Sequence, residues 1–386
     1  MSKNLVGPYI RSLTIKNFRS YKELNIKLDQ NPIVLFGPNG SGKTNFIEAI
    51  SLLNPGKGLR SAKKSHFLHI PLNYNEQISD WAIHAIIENN EKSFEVSTGI
   101  NSSEKDKQKN RKFLLNGENV NGKEICSMLS LNWLTPQMTS VISSSDSIKR
   151  KFFDRLVAGF DPSHIGRMAR FEKLARQRIK LIEKNYNDDH WFSIIERKMS
   201  ETGVAIIASR ISMINLLDKI TSNPIVSNFP NLSLHWSGCV EEWLKNSSSI
   251  DVEDKITDYL RSFRQQNCLE ILGPTQSKLN IFYGENKIPS DYCSTGQQKI
   301  ILVSIVLAFS KLLSDRKKLP PILLLDEVSS HLDNKNFQAF FDASIESNGQ
   351  IWMTGTNVDL FKKLKCNKNL QYLEVDDSNV TQFVDL

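Results

Sequence analysis

The sequence predicts an α/β protein in which the two ends of the chain form one phosphate-binding head. A glycine-rich loop lies between an apolar strand and a helix near the N-terminus, and an apolar strand near the C-terminus ends in Asp326 and Glu327. Between them runs a long stretch of helical periodicity. We therefore expect a head built from residues 1–139 and 274–386, a mostly helical second lobe of residues 140–273, and a small antiparallel sheet.

The glycine-rich loop fits the pattern G-x-x-x-x-G-K-[ST]. Its residues are Gly37, Pro38, Asn39, Gly40, Ser41, Gly42, Lys43 and Thr44, followed by Asn45. The apolar run Ile33–Phe36 precedes the loop as a buried strand would, and Phe46, Ile50 and Leu53 recur at helical spacing after it. Backbone N–H groups at such a helix start bind phosphate oxygens. Lys43 is expected to reach the β- and γ-phosphates, and the Thr44 hydroxyl to bind Mg²⁺.

The segments on either side of this loop read as strands. Residues 10–28 alternate in polarity around a turn, and short alternating runs return between Trp81 and Phe113, which predicts a small antiparallel sheet. Two exposed basic stretches are candidates for contact with DNA, Lys63-Lys64 and Lys105–Lys112. The first lies in the stretch Lys57–Lys64, for which a solvated loop and a nucleotide or DNA contact weigh equally.

The middle of the chain is predicted to be mostly helical. The run Leu131–Gln137 reads as a strand ending on a polar residue, and helical periodicity begins at Asp146. Longer amphipathic helices are expected over 165–184, 191–217 and 251–266, with a strand over 232–236. Basic residues outnumber acids along the first of these helices, and the simplest interpretation is a solvated face. They are Arg167, Arg170, Lys173, Arg176, Arg178 and Lys180.

A second phosphate-binding helix start is predicted before the apolar run 300–313. Ser294 with Gln297 three residues later is a capping-box pattern, so Ser294 should be the N-cap. Gly296 would let the backbone approach a ligand closely, and N–H groups at the helix start would favour an anion.

The strand 322–325 leads into two adjacent carboxylates. Asp326 can hold Mg²⁺, directly or through water, and Glu327 can polarise a water for attack on the γ-phosphate. Ser330–Asp333 follows, and Gln350–Thr356 is a further strand ending in hydroxyl residues. Both should lie at the C-terminal edge of a parallel sheet, beside the phosphates.

Composition describes an ordinary water-soluble protein of 386 residues. The five cysteines are scattered without a C-x-x-C pair, which favours reduced thiols in the cytosol over disulfides or a zinc site. The longest apolar run, 300–309, is too short to cross a bilayer, and the N-terminus has no apolar secretory core. The net charge of +7 is compatible with a polyanionic partner.

The order of phosphate loop, Ser-x-Gly-Gln helix, Asp-Glu strand and S-x-L-D loop is that of ABC-class ATPase heads. Thr44 and Ser294 lie only 250 residues apart, too few for an SMC coiled-coil arm, which would need sustained heptads. In detail the chain resembles the RecF family of bacterial DNA-repair proteins over nearly its whole length. The matching stretches are 13–21, 37–60, 149–155, 272–274, 294–298 and 323–333. Thr275-Gln276 stand where the family usually has His-Arg, and Glu327 stands where it often has Asp.

The resemblance implies an ATP- and Mg²⁺-dependent DNA-binding protein of recombinational repair and the DNA-damage (SOS) response. It implies a cytoplasmic protein without a membrane partner that binds gapped or junction DNA, assists recombinase loading with RecO and RecR, and hydrolyses ATP slowly. It also implies an ATP-dependent homodimer in which Ser294 acts on the nucleotide held by the other subunit. By analogy with ABC-class heads, Gln137 touches Mg²⁺ and the attacking water. The alternatives are an ATPase subunit of a transporter or of a nuclease-associated system.

Overall fold

The computed structural model describes residues 7–70, 78–89, 92–100, 111–186, 188–223, 229–266, 268–327, 333–347, 349–365 and 369–383. They divide into two compact units. The first unit combines Met1–Thr139, Ile225–Phe229 and Thr295–Leu386, and the second combines Ser140–Pro224 with Pro230–Ser294. Strands and helices are numbered along the whole chain.

An antiparallel sheet of six strands opens the first unit. Its strands are β1 (Tyr9–Phe18), β2 (Tyr21–Lys27), β4 (Trp81–Asn89), β5 (Lys92–Ile100), β6 (Lys112–Leu115) and β7 (Glu118–Asn119), in the order β2-β1-β4-β5-β6-β7. The hairpin predicted over residues 10–28 and the runs predicted over 81–113 therefore form a single sheet. Leu13, Ile15, Ile83 and Ala85 alternate with outward-facing residues and bury one side of it.

A mixed sheet carries the phosphate loop. Its strands are β3 (Ile33–Phe36), β8 (Leu131–Leu134), β12 (Ile322–Leu325), β13 (Ile351–Gly355), β14 (Gln371–Asp376) and β15 (Asn379–Phe383), in the order β15-β14-β3-β13-β12-β8. All neighbours pair in parallel except β14 with β15. Continuous apolar runs such as Ile322–Leu325 are buried along their whole length, as expected for parallel strands covered on both faces. The hairpin β14–β15 was not anticipated from the sequence.

The described residues of the first unit form five α-helices. They are α1 (Lys43–Ser51), α2 (Gly122–Met128), α8 (Thr295–Leu312), α9 (Asn334–Glu346) and α10 (Asp359–Lys362), with 3₁₀ turns at Lys64–Phe67 and Pro136–Val141 and a π-helical turn at Leu313–Lys317. Among the described residues, one helical segment, Thr295–Lys317, has the length and apolar composition of a membrane span. Of the most apolar 18-residue window of this segment, 67% is buried within the structure, the usual setting of a core helix in a globular protein. Asn132 of β8 donates to the Val306 carbonyl and to Ser310, which ties α8 to the sheet.

The second unit is mostly helical. It contains α3 (Asp146–Phe160), α4 (Ser163–Glu183), α5 (Asp189–Thr221), α6 (Cys239–Asn246) and α7 (Ser249–Gln265), with the strands β9 (Leu232–Ser237), β10 (Lys278–Tyr283) and β11 (Ile288–Pro289) and a 3₁₀ turn at Ser290–Tyr292. Phe171, Met199, Ile207, Val252 and Ile256 are among the apolar residues that fill its core. Helices α2 and α6 and strand β10 were not predicted.

The boundary predicted at residue 273 falls inside this unit, which extends to Ser294. The physical reason is strand pairing, because β10 hydrogen-bonds to β9 in antiparallel register. Helix α3 also holds the connecting segment: Arg150 donates to the Ser277 carbonyl at 2.8 Å, and Lys149 Nζ lies 2.7 Å from Asp291 Oδ1.

A buried ionic network centres on Asp154, within the basic stretch 149–155. Its two carboxylate oxygens accept from Arg210 at 2.8 and 2.7 Å, and His164 Nε2 lies 2.9 Å from Oδ1. Arg210 also donates to the Pro274 carbonyl and to Ser277. The stretch that resembles the RecF family therefore holds the chain after Gly273 in place.

The solvated-face interpretation of the basic residues on α4 is wrong for Arg178. This side chain is fully buried, and it donates to Glu196 at 3.1 Å and to the Leu260 carbonyl at 2.6 Å. Its helical register explains the burial, because Arg178 is in step with Phe171, Leu174, Ala175 and Ile182 on the apolar face.

Candidate nucleotide-binding site

The phosphate loop leaves the C-terminal end of β3 and enters α1. Gly37, Gly40 and Gly42 all have positive φ, which glycine adopts at little cost. A Cβ on Gly37 would collide with the carbonyl oxygen of Val375 in β14. The loop fixes its own shape further, since Tyr21 Oη donates to the Gly42 carbonyl at 3.1 Å. Pro38, Asn39 and Gly40 form its exposed rim, while Asn45 lies in the first turn of α1 with its side-chain amide 2.9 Å from Ser20 Oγ.

Lys43 is buried under this loop. Its Nζ donates to the carbonyl oxygens of Gly37 and Pro38 at 2.8 and 2.7 Å. Burial lowers the pKa of Lys43, and the carboxylates of Glu327 and Asp326 partly oppose that shift. The Ser41 hydroxyl is buried in the same loop without a hydrogen-bond partner among the described residues. A cradle with a buried ammonium and an unsatisfied hydroxyl has the chemistry that an oligophosphate requires.

A chain of short hydrogen bonds joins the loop to the C-terminal half of the site. Thr44 Oγ1 donates to Asp326 Oδ1 at 3.1 Å, and Thr354 Oγ1 donates to the same oxygen at 2.8 Å. The Glu327 backbone N–H in turn donates to Thr354 Oγ1 at 2.9 Å. The structure thus brings the Thr44 side chain, the Asp326 carboxylate and the Glu327 backbone together at one edge of the sheet.

Burial raises the pKa of Asp326, while hydrogen bonds from Thr354 and Thr44 oppose the shift and the charge of Glu327 adds to it. For Lys43 and Asp326 alike, desolvation disfavours the charged form. A phosphate group beside Lys43 and a cation beside Asp326 would favour the charged forms again. The electrostatics therefore fit a bound anion together with a bound cation.

Glu327 has an unusual backbone conformation. Its φ of 49° lies in the left-handed region, which a residue with a Cβ adopts at a cost. The residue follows directly on β12, and its side chain is half-buried. Such strain turns the chain sharply after Asp326, so two consecutive carboxylates need not alternate across the sheet as they would in a strand.

Gln137 lies beyond the end of its strand rather than on it. Strand β8 stops at Leu134, and Gln137 is exposed in the 3₁₀ turn Pro136–Val141, because Pro136 supplies no backbone N–H to continue the pairing. The turn nevertheless follows the strand next to β12, where the Asp326 N–H donates to the Leu134 carbonyl at 2.9 Å. Gln137 therefore belongs to the same edge of the sheet as Asp326.

The predicted signature residues lie on a different element. Ser294 directly precedes α8, and Gly296 and Gln297 are in its first turn. Ser294 and Gly296 are exposed, and Gln297 is half-buried. Of the S-x-L-D loop, Ser330, His331 and Leu332 lie outside the described residues, whereas Asp333 caps α9 by accepting from the Asn336 N–H at 2.9 Å.

The structure gives specific contacts to Thr354, from the strand that was predicted beside the phosphates, and adds Ser378, which the sequence did not single out. Thr354 bridges Asp326 and Glu327, and the Ser378 N–H donates to the Ser41 carbonyl at 2.8 Å. In the basic stretch 57–64, Arg60 donates to Asn45 Oδ1 at 2.9 Å, so this residue is tied to α1. The other predicted DNA contacts are less defined: Lys63 and Lys112 are exposed, and residues 101–110 lie outside the described chain.

The oxygen ligands of this site suit a hard cation. Across the described part of the chain, no group of three or more His, Cys, Asp or Glu side chains is placed to hold a metal on its own. Thr44 and Asp326 nevertheless bring a hydroxyl and a carboxylate together at the loop, and Mg²⁺ usually takes few protein ligands beside substrate phosphates. The donor set fits Mg²⁺ held jointly with a nucleotide.

Comparison with known proteins places these features in a family. The model of the RecF/RecN/SMC N-terminal domain matches residues 9–378. The DNA replication and repair protein RecF of Mesorhizobium japonicum is 36% identical over 377 residues, which cover 96% of this chain and 97% of that protein. RecF of Rickettsia massiliae is 33% identical, with 91% and 95% covered.

Solved structures agree on the fold. The recombination mediator protein RecF-ATPrS of the RecFOR pathway matches with a TM-score of 0.83 at 20% identity, over 98% of this chain and 99% of that one. The Smc head domain of Pyrococcus furiosus matches with a TM-score of 0.53 at 17% identity, over 97% and 96% of the two chains. The fold is therefore that of an SMC-type ATPase head. The relatives that are more than 30% identical over nearly the full length show to which family the chain belongs. This chain belongs to the RecF family.

Proposed function

We propose that this chain is an ATP-gated DNA-binding protein of recombinational DNA repair. The hydrogen-bonded junction of Thr44, Asp326, Thr354 and Glu327 beneath the phosphate loop carries the proposal, because it joins the two halves of a nucleotide site. Relatives over nearly the whole chain are DNA replication and repair proteins, and the matched RecF structures are of its ATP and ATPrS forms.

The residues have distinct roles in this proposal. Loop N–H groups and Lys43 bind the phosphates of ATP, and Thr44 and Asp326 hold Mg²⁺, which neutralises phosphate charge when bound. Glu327 orients and deprotonates the attacking water. Gln137, on the exposed turn beside β12, senses the nucleotide from the same edge of the sheet.

In this proposal, the binding of ATP, rather than the rate of its hydrolysis, controls the state of the protein. The Ser294-x-Gly296-Gln297 helix start binds the nucleotide of a second subunit, which makes a two-fold dimer with two shared sites. The exposure of Ser294 and Gly296 supports this arrangement, because a partner's nucleotide must reach them. Slow hydrolysis then releases the dimer from gapped or junction DNA, where RecO and RecR assist recombinase loading in the cytoplasm.

The first test separates binding from hydrolysis. Lys43→Ala should weaken ATP binding, since the buried ammonium that faces the phosphates is lost. Glu327→Gln should keep binding and accumulate the ATP-bound dimer, measured by light scattering with linear and gapped duplexes. A Glu327→Gln variant that hydrolyses ATP at the wild-type rate would contradict the assigned base.

The second test addresses the shared site. Ser294→Arg should leave ATP binding by the monomer intact and abolish ATP-driven dimerisation and hydrolysis. Mixing it with Lys43→Ala creates dimers with one site free of both changes, so partial recovery of ATPase activity is expected. Mixed dimers that form without any recovery would count against the arrangement.

A further inference from the structure

Helix α4 presents a row of positive charge on its exposed side. We call this row the α4 stripe, and its members are Arg170, Lys173, Arg176, Lys180 and Lys184, all exposed. They are spaced three or four residues apart, which places them on one face of a helix. From the first to the last the row runs about 21 Å at 1.5 Å per residue.

The side chains of the stripe have no ionic partner in the described part of the chain. Two other basic residues of the same helix do have acidic partners: Arg167 pairs with Asp161, and the buried Arg178 pairs with Glu196. Within the described chain, no side chain of the stripe forms a hydrogen bond, salt bridge or ring contact. Glu172 and Glu183 are the only acids between Arg170 and Lys184, so positive charge is in excess.

The opposite face of α4 fixes the stripe in position. Phe171, Leu174 and Ala175 pack into the core of the second unit, so the helix cannot turn its cations inward. Like charges three or four residues apart destabilise a helix. An anionic partner would remove this repulsion.

We propose that the α4 stripe binds the phosphate backbone of duplex DNA. A duplex carries one phosphate per 3.4 Å on each strand, so a row of about 21 Å faces roughly six phosphates of one strand. The exposed residues between Arg170 and Lys184 are all polar, so the stripe lacks the apolar centre of a typical protein–protein interface. A row of cations without groups that read base edges binds independently of sequence.

This inference rests on the proposed DNA-binding function and adds a contact surface on the second unit. The test uses the full-length chain with Mg²⁺ and ATP, and a short fluorescein-labelled duplex of random sequence titrated at several salt concentrations. The stripe variant is Lys173→Gln, Arg176→Gln and Lys180→Gln, three exposed changes that leave the core untouched. The matched control is Lys219→Gln, Lys245→Gln and Lys255→Gln, which removes the same charge from the same unit away from α4.

The slope of log affinity against log salt is the decisive readout. The stripe variant should lose about 0.9 in slope for each phosphate contact removed, about 2 to 3 in total, and bind at least about tenfold more weakly at low salt. The control should keep the wild-type slope. Exchanging the same positions for the other basic residue (Lys173→Arg, Arg176→Lys, Lys180→Arg) should restore the slope, because the contact depends on charge.

Two outcomes would overturn the inference in distinguishable ways. A stripe variant that melts like wild type and binds with the same slope as the control refutes the DNA contact, and the stripe is then a solvated face or a surface for an acidic protein. If neither wild type nor control binds the duplex at low salt, the proposed DNA-binding function fails and the inference falls with it.

Discussion

A substitution at Thr354 would test whether its buried hydroxyl holds the two halves of the nucleotide site together. Thr354 is 1% exposed, donates to Asp326 Oδ1 and accepts from the Glu327 N–H. Thr354→Val keeps the β-branched shape but removes both hydrogen bonds. The bond to a carboxylate contributes about 1.5–3 kcal/mol and the neutral bond about 0.5–1.5 kcal/mol, so the free energy of unfolding should fall by about 2–4.5 kcal/mol.

For a unit of this size, that loss lowers the melting temperature by about 5–15 °C. ATP hydrolysis should fall by about tenfold or more, since a catalytic base displaced by an ångström loses orders of magnitude in rate. Calorimetry and a steady-state ATPase assay measure the two effects, and Thr354→Ser, which keeps the hydroxyl, is the control. A valine variant within 1 °C and a factor of two of wild type would refute the bridging role.

Two further predictions concern Asp326 and Lys149. Burial raises the pKa of Asp326 above its unfolded value, so its contribution to stability is fully present below the unfolded pKa and is lost as pH rises through the folded pKa. Without Mg²⁺ or nucleotide, the melting temperature of Asp326→Asn should therefore rise relative to that of wild type as the pH goes from acidic to neutral. A difference in melting temperature that does not change with pH would contradict this. Lys149→Met removes the partner of Asp291, three residues before Ser294, and should lower ATPase activity without changing ATP affinity. The exposed Lys151→Met is its control, and equal ATPase rates in the two variants would argue against a positioning role.

The site residues that could be predicted from the sequence are those whose role follows from a local sequence pattern. Lys43 and Thr44 follow from the loop pattern, and Asp326 and Glu327 from the end of an apolar strand. The strand that carries Thr354 was predicted to lie beside the phosphates, but the bonds of Thr354 to Asp326 and Glu327 depend on β13 pairing with β12. The contact of Ser378 with the loop depends on β14 flanking β3, and no local pattern specifies which strands become neighbours.

The periodicity of helix α4 is a sequence signal for the burial of Arg178. Its apolar residues recur with a helical period, and extending that period places Arg178 on the buried face, whereas Arg170 and Lys173 fall outside it. Composition alone treated all of these cations alike. Periodicity would have separated the buried cation from the exposed ones, but its partner Glu196 comes from another helix and required the structure.

The position of β14 constrains when this protein can first bind a nucleotide. Within the described residues, strand β3, which carries the phosphate loop, lies between β13 and β14 and pairs with both, and the Gly37 turn packs against Val375. A chain emerging from the ribosome exposes its N-terminal segments first. The antiparallel sheet and the helical unit can form during synthesis, whereas β3 cannot pair until β13 and β14, which lie far downstream in the sequence, have been made. Such distant pairing slows folding, and it makes nucleotide affinity a property of a chain that has been synthesised through β14.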